Sequence, residues 1–108
     1  MSTWRDVERI APSLEGARPG RSHAGEPTYD VGRHPFARLR LDGDREVLQY
    51  WSLEIDSALA LADRADVFFR VDTFKVKVSV HAWLDLLDVD ELAEILTDSW
   101  RARRGVRA

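Results

Sequence analysis

Along residues 75–84, KVKVSVHAWL, Val76, Val78, Val80, Ala82 and Leu84 share one parity, and Lys75, Lys77, Ser79, His81 and Trp83 share the other. A period of two marks a half-buried antiparallel strand. Beyond it the period changes. Asp88 stands where an N-cap belongs, with Glu91 three residues on as in a capping box. Val89, Leu92, Ala93, Leu96 and Trp100 then recur at helical spacing as one apolar stripe, predicting a helix over 88–103. Arg101, Arg103 and Arg104 fall in its last turn, where cations suit the negative end of the helix dipole. A strand joined this closely to a helix implies a helix lying on one face of a sheet. The face bearing Lys75, Lys77 and His81 is then the opposite one.

The rest of the chain follows the same two periods. Residues 3–14 read as a first helix, with Trp4, Val7, Ala11 and Leu14 on one side, Ile10 beside them, and Ser2 or Thr3 as cap. Pro12 removes a hydrogen bond and disfavours helix in the residue before it, so the regular helix is expected to end near Ala11. Residues 16–27, GARPGRSHAGEP, carry turn chemistry and no periodicity, and are expected to be irregular. Strands are expected at Thr28–Val31, Phe36–Leu41 and Glu46–Trp51, joined by turns at Gly32-Arg33 and Asp42-Gly43-Asp44. In the middle one, Ala37, Leu39 and Leu41 face one way, and Phe36, Arg38 and Arg40 the other. A middle helix over 53–65, capped by Ser52, buries Ile55, Ala58, Leu59 and Ala62; a strand starts at Asp66, and Asp72-Thr73 turns into 75–84. The expected fold class is α+β, two-layer, in the order α-β-β-β-α-β-β-α, with helices on one face of a mainly antiparallel sheet. The alternative is a first helix swapped onto a second copy.

Composition narrows the picture. At 108 residues the chain is expected to form a single domain, 1–108, with a core of its own. The absence of cysteine excludes disulfides, thiolate metal sites and cysteine nucleophiles. The opening MSTWRDVERI lacks the apolar run of a signal peptide, and no segment has the length of a membrane helix, so a cytoplasmic location is expected. The net charge of −3 weakens a dedicated nucleic-acid-binding reading. That charge is segregated, however. Residues 84–100 hold six acids and no base, whereas 33–40 hold Arg33, Arg38 and Arg40 with no acid.

Catalytic constellations are missing from the sequence. His23, His34 and His81 lack zinc-site spacing, and an enzymatic reading requires all three to converge in space. There is no nucleophile elbow, P-loop or dinucleotide fingerprint. Capping and dipole effects account for Asp88, Asp90 and Glu91. No catalytic residue, metal ligand or cofactor is expected. What remains are two basic regions. The loop 16–27 carries Arg18, Arg21 and His23, able to grip an anion or simply to be solvated. The Phe36–Arg38–Arg40 alternation suits a sheet that stacks and grips a polynucleotide, and equally a plain solvent-facing strand. Trp51 and Trp83 are expected on the same open face as Arg38 and Lys77.

The pieces also resemble the MmcQ/YjbR family in order and spacing across nearly the whole chain. The likeness rests on Pro12-Ser13-Leu14-Glu15-Gly16, Pro27-Thr28-Tyr29-Asp30-Val31-Gly32, Phe36-Ala37-Arg38-Leu39, Asp66-Val67-Phe68-Phe69, and Asp90-Glu91-Leu92 through Ser99-Trp100-Arg101. The resemblance implies a CyaY-like (frataxin-like) double-wing fold in a small bacterial DNA-binding protein. The chain departs from the family pattern at Arg70–Lys75, where a His-Tyr-Gly-type segment is usual. It does not carry over frataxin metal ligands, because the first helix mixes Asp6 and Glu8 with Arg5 and Arg9.

Two readings follow. The first is a non-enzymatic DNA-binding protein whose phosphate contacts are Arg38, Arg40, Lys75 and Lys77, supported by Arg33, Arg103, Arg104 and Arg107. The second is a protein- or small-ligand-interaction module using the same aromatic–basic face or the loop 16–27. The chain is expected to be a monomer or homodimer, without a membrane partner.

Overall fold

A computed structural model describes residues 1–52, 62–70 and 79–105. Among the described residues the fold is α+β: a six-stranded, wholly antiparallel sheet with two helices packed on it. The strands are β1 (Ala17–Arg21), β2 (Pro27–Val31), β3 (His34–Asp42), β4 (Arg45–Trp51), β5 (Phe68–Phe69) and β6 (Ser79–Trp83), in the spatial order β1-β2-β3-β4-β6-β5. The helices are α1 (Trp4–Ile10) and α2 (Val89–Arg104). Of the expected middle helix over 53–65, residues 62–65 are described: 62–63 are helical, 64–65 are not, and Ala62 is exposed rather than buried. Residues 53–61, the 72–73 turn, Lys75, Lys77 and Arg107 lie outside the described residues.

Both helix starts are capped by a carboxylate. Asp6 accepts the Thr3 N–H at 2.9 Å, and Asp88 Oδ1 accepts the Glu91 N–H at 2.7 Å. Glu91 does not return the bond as a capping-box partner; its carboxylate pairs with Arg64 instead. Pro12 ends α1 as expected, and the chain continues through a 3₁₀ turn at Ala11–Ser13. Ser2 is no cap. Buried, it donates from Oγ to the Leu87 carbonyl at 2.9 Å and ties the N-terminus to the start of α2.

The 16–27 segment is not irregular throughout. Ala17–Arg21 forms β1, pairing from Ala17↔Val31 to Arg21↔Pro27. Proline and glycine are tolerated here because β1 is a sheet edge. Pro19 has no N–H to offer, and the Ala17 N–H already bonds the Leu14 carbonyl at 3.1 Å, so the edge is poorly suited to pairing with another strand.

One face of the sheet carries the core. Leu48, Tyr50, Val80, Ala82 and Leu84 meet Leu92 and Leu96 of α2, and Trp4 and Val7 of α1 complete the cluster. α2 crosses β3 and β4. Its buried positions are Leu92, Leu96 and Ser99, so the inward stripe runs nearer Ser99 than the apolar pattern places it. A register shift between Tyr29/Asp30 and Ala37/Pro35 bulges β3 at Phe36. A bulge lets consecutive residues escape strict alternation, which is why Phe36 joins Ala37 in the core instead of facing out with Arg38 and Arg40.

The β3–β4 ladder stops at Ala37↔Tyr50, one rung short of Phe36 and Trp51. Ser99 closes the gap. Its hydroxyl accepts the Trp51 N–H at 2.9 Å and donates to the Phe36 carbonyl at 2.6 Å, bridging a rung the bulge has opened.

Candidate functional site

The face opposite the core is built as rows of cross-strand neighbours. One row runs Gly20, Thr28, Arg38, Gln49, His81 and Phe69; the next places Arg40 opposite Val47 and Val47 opposite Trp83. This face is less open than its polar residues suggest. Thr28, Gln49, Ser79 and His81 are all buried, His81 to 1% exposure. The alternation of 75–84 places His81 on the polar face of its strand, and the structure buries that face here. The Phe69 ring stacks against its imidazole at 5.4 Å and packs in turn on Trp83 at 5.0 Å. Phe68 and Phe69 divide as adjacent strand residues must, Phe68 into the core and Phe69 onto this face.

Burial disfavours the charged imidazole, and the Arg40 and Arg38 guanidinium groups add to that, so the His81 pKa falls from 6.5 to about 4. The unfolded chain therefore takes up this proton as pH drops below about 6.5 while the folded chain does not. The His81 contribution to stability is complete above that pH, is lost progressively down to about 4, and is flat below. Urea unfolding at pH 7 and pH 5 is expected to show a loss of roughly 1–2 kcal/mol that His81→Gln lacks. An equal loss in the variant would assign the pH dependence to other groups.

The sequence-selected bases are placed very differently from one another. Arg38 is half-buried, and its Nε and Nη2 both donate to Glu26 Oε1, at 3.1 and 2.5 Å. Arg40 is half-buried on β3, beside Phe69, His81 and Trp83 around a cavity of about 270 Å³. Arg33 is exposed in the β2–β3 turn. Arg103 and Arg104 are held against indoles: Arg103 lies 4.7 Å above Trp51 and donates to the Pro35 carbonyl at 2.9 Å, and Arg104 lies 4.5 Å above Trp100. Burial lowers the Arg103 pKa from its ordinary value. Trp51 is thus buried beneath a cation rather than open. Trp83, half-buried, carries the Arg45 guanidinium at 4.0 Å, and Arg45 is also fixed by a bidentate pair to Asp85.

Loop and sheet converge at a second cavity. Arg21 and His23 come from the β1–β2 hairpin, Arg33 from the next turn, Asp30 and Arg38 from β2 and β3, and Trp51 from the end of β4. Together they line a cavity of about 390 Å³. The hairpin tip is stiffened from within. The Ser22 N–H bonds the Glu26 carbonyl at 2.9 Å, Ser22 Oγ accepts the Glu26 N–H at 3.2 Å, and Arg21 donates to the Gly25 carbonyl at 2.9 Å. Gly25, at φ +82°, makes this tight tip possible. Glu26 is thereby carried to Arg38 by backbone geometry, and the guanidinium is held with one edge occupied.

Asp30, absent from the sequence-selected residues, contributes an acceptor to the same cavity. Thr28 Oγ1 donates to Asp30 Oδ1 at 3.0 Å. The carboxylate folds over Gly20, where an added Cβ would lie 2.4 Å from Asp30 Oδ2. The signal for it in the sequence was the Thr28–Asp30 spacing, which puts both on one face of a strand.

His23 lines this cavity, His81 the other, and His34 opens β3. Among the described residues, no group of three or more His, Asp or Glu side chains is placed to hold a metal ion, and no helix is long and apolar enough to cross a membrane. The arrangement can bind: guanidinium and imidazole donors around an indole suit an anion with an apolar part. Compared with known proteins, the chain matches no family model, no curated protein and no solved structure.

Proposed function

We propose that the chain is a non-catalytic, cytoplasmic binding module that takes a small anionic ligand into the 390 Å³ cavity between the β1–β2 hairpin and β3. The observation that carries this reading is the convergence there of the two basic regions, Arg21 and His23 from the hairpin with Arg33 and Arg38 from the sheet, around Trp51. A cavity of a few hundred Å³ with a few convergent polar groups is the usual form of a small-molecule site.

DNA binding by this face is the second reading. It is favoured by the position of Arg33, Arg38 and Arg40 along one strand and the turn before it, and by the resemblance to the MmcQ/YjbR family with its CyaY-like fold. The pairing of Arg38 with Glu26, the stacking of Arg103 and Arg104 on indoles, and the net charge of −3 make it the weaker one. Two titrations separate them. Calorimetry with benzoate and with inorganic phosphate is expected to show one saturable site. Anisotropy with a labelled duplex is expected to show no affinity tighter than about 10⁻⁶ M at about 50 mM salt. Tight duplex binding that collapses at about 200 mM salt, without small-anion binding, would reverse the order of the two readings.

A further inference from the structure

The cavity proposed above as an anion site is not lined by donors alone. Asp30 is an acid among Arg21, Arg33 and Arg38, yet it forms no ion pair among the described residues; its partner is the neutral Thr28 hydroxyl. Its position is fixed, since Thr28 holds Oδ1 and the missing Cβ of Gly20 makes room for Oδ2. On the basic side, Arg33 likewise has no ion pair among the described residues. Arg38 spends its Nε–Nη2 edge on Glu26, so the end-on pair of donors, Nη1 and the second Nη2 hydrogen, is the edge left for a ligand. One cavity therefore offers a fork for a carboxylate and, fixed on the neighbouring strand, an acceptor with no countercharge.

We propose that the ligand is a zwitterion of amino-acid type, its carboxylate taken by Arg38 and Arg33, its ammonium by Asp30, and its side chain lying toward Trp51. This rests on the small-anion reading and names the ligand class. The volume of about 390 Å³ accommodates a single amino acid. A carboxylate matches the planar guanidinium fork, and an ammonium beside a carboxylate makes a charge-assisted hydrogen bond. A polyphosphate or nucleic-acid backbone supplies no cation for Asp30 and places like charges against it, so the acid selects against those ligands.

The test uses the whole chain and matched probes. Each of the common amino acids and its deaminated acid is screened by thermal shift at about 10 mM, a concentration at which a millimolar site raises Tm measurably. Pairs that respond, such as L-phenylalanine with 3-phenylpropionate, are then titrated calorimetrically, with phenethylamine as the cation-only control. The amino acid is expected to bind at least about tenfold more tightly than its deaminated acid. In Asp30→Asn the two are expected to bind alike, with the deaminated acid bound no more weakly than by the wild type. Equal affinities in the wild type would overturn the zwitterion and leave the anion site standing. No response to any acid, with or without its amine, would overturn both. Should Asp30→Asn fail to give a cooperative melt, the wild-type ratio alone decides.

Discussion

Replacing Ser99 with alanine is expected to destabilise the fold by about 2–4 kcal/mol, more than the loss of a typical hydroxyl. Ser99 is fully buried and serves two backbone groups at once, the Trp51 N–H and the Phe36 carbonyl. Removing it leaves both desolvated without a partner, and each such group costs about 1–3 kcal/mol. For a domain of this size the shift in Tm is roughly 10–20 °C. The matched control is Thr97→Ala on the same helix, whose hydroxyl returns only to the Ala93 carbonyl one turn back; it is expected to change stability by about 0.5 kcal/mol or less. Similar losses from the two variants would show that the bridged rung contributes little.

The largest expected effect on binding comes from the double substitution Arg33→Glu with Arg38→Gln. It removes the guanidinium fork and sets an acid at the cavity mouth, so benzoate affinity is expected to fall at least about a hundredfold, the loss of two charge-assisted contacts. Arg33 is exposed, and its substitution alone is expected to leave stability within about 0.5 kcal/mol. Arg38→Gln leaves Glu26 half-buried without its partner, a cost of about 1 kcal/mol. A double variant that melts cooperatively and still binds benzoate with wild-type affinity would remove both residues from the site.

The elements were legible wherever period and punctuation agreed. The β2–β4 meander follows from alternation broken at Gly32 and Gly43, both at positive φ, and α2 from Asp88 and the Leu92–Leu96 spacing. Three features were not legible, each for a physical reason. β1 hides behind Pro19 and Gly20, because an edge strand tolerates residues that a central one rejects. The β3 bulge reverses Phe36, and no local pattern announces an extra residue. Ser99 lies on the inward stripe of α2 at helical spacing from Leu92 and Leu96, and half-buried Arg103, one turn on, reaches the Pro35 carbonyl, but a stripe read from apolar residues alone passes both over.

The site was legible as composition and not as geometry. Arg21, His23, Arg33 and Arg38 all stand out as bases, and nothing in their spacing says that a hairpin folds the first two over the last two. The same sequence suggested an open face of arginines and tryptophans. Folding instead covers Trp51 with Arg103 and Trp83 with Arg45, because a guanidinium stacked on an indole buries apolar surface on both partners while keeping its charge.

The most direct measurement is a two-dimensional ¹H–¹⁵N titration of the whole chain with benzoate at low salt. The amides of Arg21–His23, Thr28–Asp30, Arg33, Arg38 and Trp51 are expected to move together and to fit one dissociation constant. Shifts scattered over the surface, or none up to about 50 mM, far weaker than the millimolar range of even a poor specific site, would contradict a built anion site in this cavity.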